Sequence, residues 1–479
     1  MNLFKKREGE HKGTLARNTL IFTGMTFVQK ALAFLLLPLY SHYMSTEETG
    51  IYTLVNSLFA LFILLFSFAL DDAVAKRYFN YKDDPEKKKR AVGTIVVFAL
   101  ILSVGGGVLL ILLHPVLVAP FANGIPFFPY LLLGIVPVMA TSVYNILQKV
   151  LLIEEKATTY SLVTLGFFLV YTGLCMVFVI GLRFSALGIL LANAIAYTLF
   201  FLFSLVFLRN RMTWCLDMQE VKDTFFYCAK LLPNRLASWG SSYLNNVIVG
   251  NFVSKEALGV YGVALQFQNI LIILANALSH AVQPWVYKNI QAKTLNGKEN
   301  IFYALSFLYC YIGFGVSVLG KDVIYWLYAE GYHDAYRYLP LLVLGSMFSA
   351  LSSLLVYILF YHDDVVIWVS ISTACGVVFN VLISFLLVGP FGVWACAAAS
   401  ACADGVRSLI VLLKAKKKSG LKLALIGLFG FALVNFGVAQ GLLYFDLPLW
   451  VRLIACVVEG VGLLAYFKKI HVMQCLKDA

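Results

Sequence analysis

About fourteen apolar runs, each long enough to cross a bilayer as a helix, recur along this chain with only short polar segments between them. A hydrocarbon core needs about 20 apolar residues per helix. The backbone of a lipid-exposed span must satisfy its own hydrogen bonds, which a helix does and an isolated strand does not. The runs lie near 18–41, 50–70, 91–113, 126–149, 159–181, 185–208, 225–250, 259–284, 301–320, 338–361, 365–388, 391–413, 421–443 and 448–467. Hydrophobic residues make up 61% of the chain and charged residues 13%, against about half and a quarter in soluble domains. No aqueous core hides that much apolar surface. The expected fold class is therefore all-α, a polytopic membrane protein. No loop exceeds about 25 residues, which leaves no room for a folded extracytoplasmic catalytic domain or a nucleotide-hydrolysing one, and no GxxxxGK[ST] occurs.

The charge pattern orients the spans. The net charge of +12 suggests a nucleic-acid partner until the cations are placed. With a cytoplasmic N-terminus, 28 of the 37 Lys and Arg fall in cytoplasmic segments, five in outer segments or helix ends, and four inside spans (Lys30, Lys230, Arg235, Arg407). That is the positive-inside bias, with attraction to anionic lipid, and it replaces the nucleic-acid reading. An even number of spans puts both termini in the cytoplasm. Lys5-Lys6-Arg7 precedes the first run as in a signal peptide, but the run continues to about Tyr40, so a retained first helix is expected. The nine Cys include no CxxC and most sit within apolar spans, as small buried residues rather than disulfides or metal ligands.

Two turns repeat. Ser45-Thr46-Glu47-Glu48-Thr49-Gly50-Ile51-Tyr52 follows span one, and Ser254-Lys255-Glu256-Ala257-Leu258-Gly259-Val260-Tyr261 follows span seven, an offset of 209 residues. In each, Ser is placed to cap the next helix and Glu to sit in its first turn. A weaker echo joins Gly181–Gly188 to Gly389–Cys396. Six spans per unit keep the orientation, so the pattern predicts two parallel six-helix lobes plus two C-terminal helices, a transporter architecture. The expected boundaries are 1–208 for the first lobe, 209–224 for a cytoplasmic linker, 225–413 for the second lobe, and 414–479 for the two extra helices and tail.

Leu15-Ala16-Arg17-Asn18-Thr19-Leu20, Leu37-Pro38-Leu39-Tyr40, the S-T-E-E-x-G-x-Y turn and Lys76-Arg77-Tyr78-Phe79 together resemble the polysaccharide-transporter flippases, which belong to the multidrug/oligosaccharidyl-lipid/polysaccharide exporter superfamily. The resemblance is clearest over 15–80 and 230–290. It implies two lobes around a central cavity, access alternating between the faces of a bacterial cytoplasmic membrane, and an undecaprenyl-diphosphate-linked oligosaccharide repeat unit as substrate, for O-antigen, capsule or a similar surface polymer. It implies a groove for the lipid tail at spans 13 and 14, and, as protein partners, polysaccharide polymerase and glycosyltransferases of the same pathway. It implies no cofactor and no catalysis. Many relatives carry an acidic residue late in span seven where this chain has Asn245-Asn246, so the carboxylate of a proton- or sodium-linked carrier is missing there. The alternatives are a multidrug exporter of the same superfamily, whose site would hold carboxylates for cations, and a membrane polysaccharide polymerase, which typically has a sizeable outer loop.

A diphosphate with a sugar chain crosses hydrocarbon only through a polar cavity with cationic partners. Lys30 lies mid-span one on a polar face with Thr19, Thr23 and Thr26, and Arg235 lies mid-span seven, where the offset carries it onto Thr26. Both are candidate diphosphate contacts, Arg as a fork and Lys as a point charge. Lys230, Asn234, Ser238 and Asn245 share a broad face of span seven, with Pro233 as a bend. Gln266, Asn269, Asn276 and Gln283 form a stripe on span eight, with His280 a turn from Asn276; the amides suit sugar hydroxyls. Arg77, at the cytoplasmic end of span two beside Asp71-Asp72, is a candidate guide for the diphosphate. Each has a competing structural reading: a buried pair, a snorkelling cation, an interhelical hydrogen bond or a topology signal. Asp404 and Arg407, three apart on span twelve, are expected to neutralise each other.

Overall fold

The structure is a computed structural model and describes residues 34, 36–81 and 83–469. Most of span one, with Lys30, lies outside the described residues. Among the described residues there are helices and no strands. After a helical segment at 36–41, the long helices are α1 (Thr46–Ser67), α2 (Leu70–Asn80), α3 (Pro85–Leu112), α4 (Leu132–Ile153), α5 (Ala157–Cys175), α6 (Ser185–Leu208) and α7 (Met218–Phe252). They continue with α8 (Lys255–Gln291), α9 (Glu299–Leu327), α10 (Ala335–Tyr361), α11 (Ile367–Phe391), α12 (Val393–Ser419), α13 (Leu425–Tyr444) and α14 (Leu449–Lys469).

Among the described residues there are twelve membrane-crossing candidates by length and hydropathy, with α1 and α2 read as one span from Thr46 to Asn80. These are spans two to six and eight to fourteen of the sequence pattern. Span seven forms a helix of 35 residues, but among the described helices of that length it is the one too polar to qualify. The chain is thus a multi-pass membrane protein. It divides into two compact units, the first ending at Trp239 and the second beginning at Gly240. The division falls inside α7 rather than in the 209–224 segment.

Both repeated turns act as the sequence pattern predicts. The Ser45 side chain accepts from Glu48 N at 3.2 Å, and Ser254 accepts from Ala257 N at 3.0 Å. Each starts a helix by satisfying one of its orphan amides. In the first unit Glu48 does more: its Oε2 accepts from Ala186 N at the start of α6, at 2.9 Å.

In the first unit, Leu70, Val96, Val143, Leu147, Leu208 and Cys228 belong to one buried core drawn from α2, α3, α4, α6 and α7. The break between α1 and α2 lies at Phe68 and Ala69, both left-handed (φ 48° and 53°), a conformation that costs non-glycine residues about 1–3 kcal/mol each. α7 braces it. Phe225 stacks on Phe68 at 5.0 Å, and the Cys228 thiol lies 3.6 Å from the Ala69 carbonyl.

In the second unit α12 carries a small-residue face, with Ala399, Ala401 and Ala403 buried. Close helix approach in membranes depends on such faces. A Cβ added at Gly345 of α10 would stand 3.2 Å from Ala401 Cα, and one at Gly376 of α11 would stand 3.1 Å from the Ala403 carbonyl oxygen. α13 and α14 pack on α9 through Phe314, Val318 and Ala439. Arg452 locks the end of that contact, donating to the Val318 carbonyl (3.0 Å) and to Asp322 (2.9 Å). The outer faces of α13 and α14 expose Ile426, Val434, Val457, Val461 and Leu464, surface that lipid covers.

Candidate functional site

The sequence-predicted cations have different fates. Lys30 lies outside the described residues. Arg235 is turned to the start of α2, its Nη2 2.5 Å from Asp72 Oδ2 and 3.1 Å from Asp71 Oδ2. Lys149 of α4 completes the group at 2.8 Å from Asp72. The helix break at Phe68–Ala69 sets those two carboxylates opposite α7. Arg77 is held by Glu220, Nε to Oε1 2.5 Å, both side chains mostly buried, with Asp223 at 3.9 Å. Two of the expected diphosphate contacts are therefore engaged by acids of their own unit.

Lys230 differs. It is exposed, and among the described residues no acid pairs with it. Asn234 and Ser238, one and two turns further along α7, are exposed as well. The three share a helix face at i, i+4 and i+8.

Asn245, expected on that face, is buried in the second unit. Its Nδ2 donates to the Cys396 carbonyl (3.1 Å) and to Ser400 Oγ (2.7 Å). Ser384 Oγ lies 3.2 Å from Asn245 Oδ1 and 3.1 Å from Asn380 Oδ1. This neutral network ties α7 to α11 and α12 at the place where the family resemblance leads one to expect an acid. Of the stripe on α8, Gln266 accepts from the Tyr328 hydroxyl at 3.2 Å. Asn269 and Asn276 are exposed, and His280 Nδ1 stands 2.9 Å from the Tyr357 hydroxyl.

Each unit also contains a cavity among its spans. The first, about 220 Å³, is lined from α1, α4, α5 and α6 and includes Tyr52, Asn56, Phe59, Phe167, Asn193 and Tyr197. Among the described residues its lining holds no charged side chain. The second, about 410 Å³, is lined from α7, α8, α10, α11 and α12 and includes Ser242, Gln268, Asn269, Asn380, Asp404 and Arg407. What sequence reasoning missed is the cavity beside Asp404 and Arg407: the charge of Arg407 acts on Asp404, as expected, but they stand on one cavity wall with no ion pair within 4 Å between them. The available signal was Gln268, two turns along α8 from Tyr261, which marks a second polar face beside the Gln266–Asn269–Asn276 stripe.

Among the described residues no group of three His, Cys, Asp or Glu is placed to hold a metal. Outside the spans, burial alone would raise the Glu154 carboxyl, but hydrogen bonds from Lys156, Tyr78 and Arg211 outweigh it and hold the group below its usual range.

A family model described as "Polysaccharide biosynthesis protein" matches residues 41–337. No curated protein sequence matches the chain. Among solved structures, the lipid II flippase MurJ in an inward closed conformation superposes with a TM-score of 0.71 at 14% identity, covering 95% of this chain and 100% of that one. An inward-facing multidrug-resistance transporter of the MATE family gives 0.57 at 16% identity, with 82% and 94% covered. The Vibrio cholerae MATE transporter VcmN, in its bent form, gives 0.54 at 13% identity, with 85% and 98% covered. At these identities the likeness establishes a shared fold.

Proposed function

The chain belongs to the polysaccharide biosynthesis protein family, and from that premise we propose that it is a flippase carrying an undecaprenyl-diphosphate-linked oligosaccharide repeat unit from the inner to the outer leaflet of the bacterial cytoplasmic membrane. Both termini lie in the cytoplasm in this reading, and transport proceeds by alternating access.

The observation that carries it is the face Lys230–Asn234–Ser238 on α7. An exposed lysine with no acid beside it, on a helix too polar to sit against lipid, belongs in a water-accessible passage. It supplies a cation to a diphosphate, and the hydroxyl and amide that follow it offer hydrogen bonds to the first sugars. A point charge on a flexible stem grips without the rigid geometry of an arginine fork, which suits a substrate that must be released on the far side.

Arg235 and Arg77 serve in this reading as anchors that hold α7 against α2, with Asp71, Asp72 and Glu220 as their counter-charges. They become available to the substrate only where those pairs open.

The test is export. In a strain with no redundant flippase, deletion of the gene should leave undecaprenyl-linked repeat units on the inner leaflet and strip polysaccharide from the surface. Lys230→Ala should cut export at least tenfold at unchanged membrane abundance. Normal surface polymer in the deletion strain would sink the reading.

A further inference from the structure

We propose that the cavity of the second unit is a saccharide subsite that holds neutral sugar residues of the transported lipid. The proposal rests on the flippase reading above and assigns one part of its substrate to one place.

The first ground is size. A volume of about 410 Å³ falls within the roughly 300–1,000 Å³ of small-molecule sites. The first unit's cavity, at about 220 Å³, falls short of it.

The second ground is unsatisfied chemistry. Asp404 and Arg407 project from a helix of a membrane-spanning unit; the charge of Arg407 acts on Asp404 through space, but the two form no ion pair within 4 Å and neither has a hydrogen-bond partner among the described residues. Charged groups within a membrane are retained where they meet water, a partner or a substrate. The rest of the wall is amide and hydroxyl: Gln268, Asn269, Asn380 and Ser242. A carboxylate accepts, a guanidinium donates, and amides and hydroxyls do both. A sugar ring, whose hydroxyls are each donor and acceptor, matches that mixture; an apolar cation or a lipid tail does not.

The third ground is charge balance. One acid and one base on the same wall give no net charge, so the cavity favours a neutral ring over a uronic acid or an amino sugar. Neighbouring amides are themselves fixed: Asn245 is held by Cys396 and Ser400, so the wall is pre-organised and loses little freedom when a sugar binds.

The experiment measures equilibrium binding to the full-length protein in lipid nanodiscs, using undecaprenyl diphosphate and the same lipid bearing a neutral N-acetylglucosamine disaccharide. The readout is the ratio of the two affinities. The wild-type protein should prefer the glycosylated lipid by at least about tenfold, the scale of one charge-assisted hydrogen bond. Asp404→Asn, Arg407→Gln and Asn269→Ala should each bring the ratio towards one. Asn269 is exposed, which guards against misfolding as the cause. Lys230→Ala should weaken both lipids and leave the ratio intact.

A wild-type ratio near one, or a ratio preserved in Asp404→Asn and Arg407→Gln, overturns the subsite while the flippase reading stands. Tighter binding of a glucuronic-acid-bearing lipid overturns the assignment to neutral sugar. Failure of the wild-type protein to bind either lipid overturns both.

Discussion

The two cavities lie on corresponding helices and have opposite character. The 209-residue offset carries Tyr52 onto Tyr261 and Phe59 onto Gln268, so a shared tyrosine stands in both walls while an aromatic in one gives way to an amide in the other. Spans two, four, five and six line the first, and spans eight, ten, eleven and twelve line the second, together with α7. In the first unit the cavity is smaller and, among the described residues, uncharged, while Asp71, Asp72 and Arg77 along α2 are paired with charges of α4 and α7. The second leaves a carboxylate and a guanidinium open. The sequence repeat alone predicts equivalent lobes; the side chains show that equivalent helices carry different chemistry.

Removing an acid-paired cation should therefore harm stability in the first unit, and removing the cavity cation should harm recognition in the second. Arg77→Ala strips the counter-charge from Glu220, whose side chain is 12% exposed, and an abandoned charge at that depth costs about 3 kcal/mol. The melting temperature in detergent should fall by several degrees. Arg407→Gln breaks no ion pair and should shift it little. Equal destabilisation by the two would erase the distinction.

Filling the cavities gives a smaller effect. A Cβ at Gly134 would meet the Phe59 ring at 2.3 Å and Val55 Cγ1 at 2.9 Å, so Gly134→Ala overpacks the first cavity's wall and should cost about 2 kcal/mol. At Gly345 the nearest atoms are Asp404 Oδ2 at 3.1 Å and Ala401 Cα at 3.2 Å. Gly345→Ala should cost about 1 kcal/mol, since the Asp404 carboxylate can move into the open cavity. A denaturation series that reverses this order would show the second cavity to be the tighter one.

The architecture was legible because bilayer thickness writes itself into the sequence as run length. Spans two to six and eight to fourteen appear where the apolar runs lie, and Ser45 and Ser254 cap the helices they precede. Span seven was legible as a helix with a polar face, but not as the helix too polar to rank with the twelve candidates. The partners were not legible. Asp71 and Asp72 are 164 and 163 residues from Arg235 in sequence, and only the break at Phe68–Ala69 brings them opposite α7. No local pattern announces a left-handed phenylalanine and alanine. For Asp404 and Arg407 a spacing of three permits a close pair on a helix face but does not require one: the charge of Arg407 acts on Asp404 without an ion pair forming, and the cavity beside them is formed by four other helices and was not legible. Asn245 faces α11 and α12 instead of sharing the Lys230 face because Ser384, Ser400 and the Cys396 carbonyl satisfy its amide.

The smallest effect concerns pH and compares ion pairs at the helix ends of the two units. Glu154 is largely buried beside Arg211, Tyr78 and Lys156, and its carboxyl is held below the usual value of 4.5. A group depressed in the folded state stabilises the fold above its unfolded pKa and loses that contribution as pH falls through the folded one. Glu154→Gln should therefore melt below the wild type at pH 7, and the gap should close as the pH is taken from about 5 down past the depressed value. Asp364 in the second unit is held low by the Lys418 hydrogen bond (2.7 Å), but it lies in solvent, where counter-ions screen the pair. Asp364→Asn should leave the melting curve where it was at pH 7 and in high salt alike. A pH-dependent gap for Asp364→Asn as large as that for Glu154→Gln would place that pair in a far drier setting than its exposure indicates.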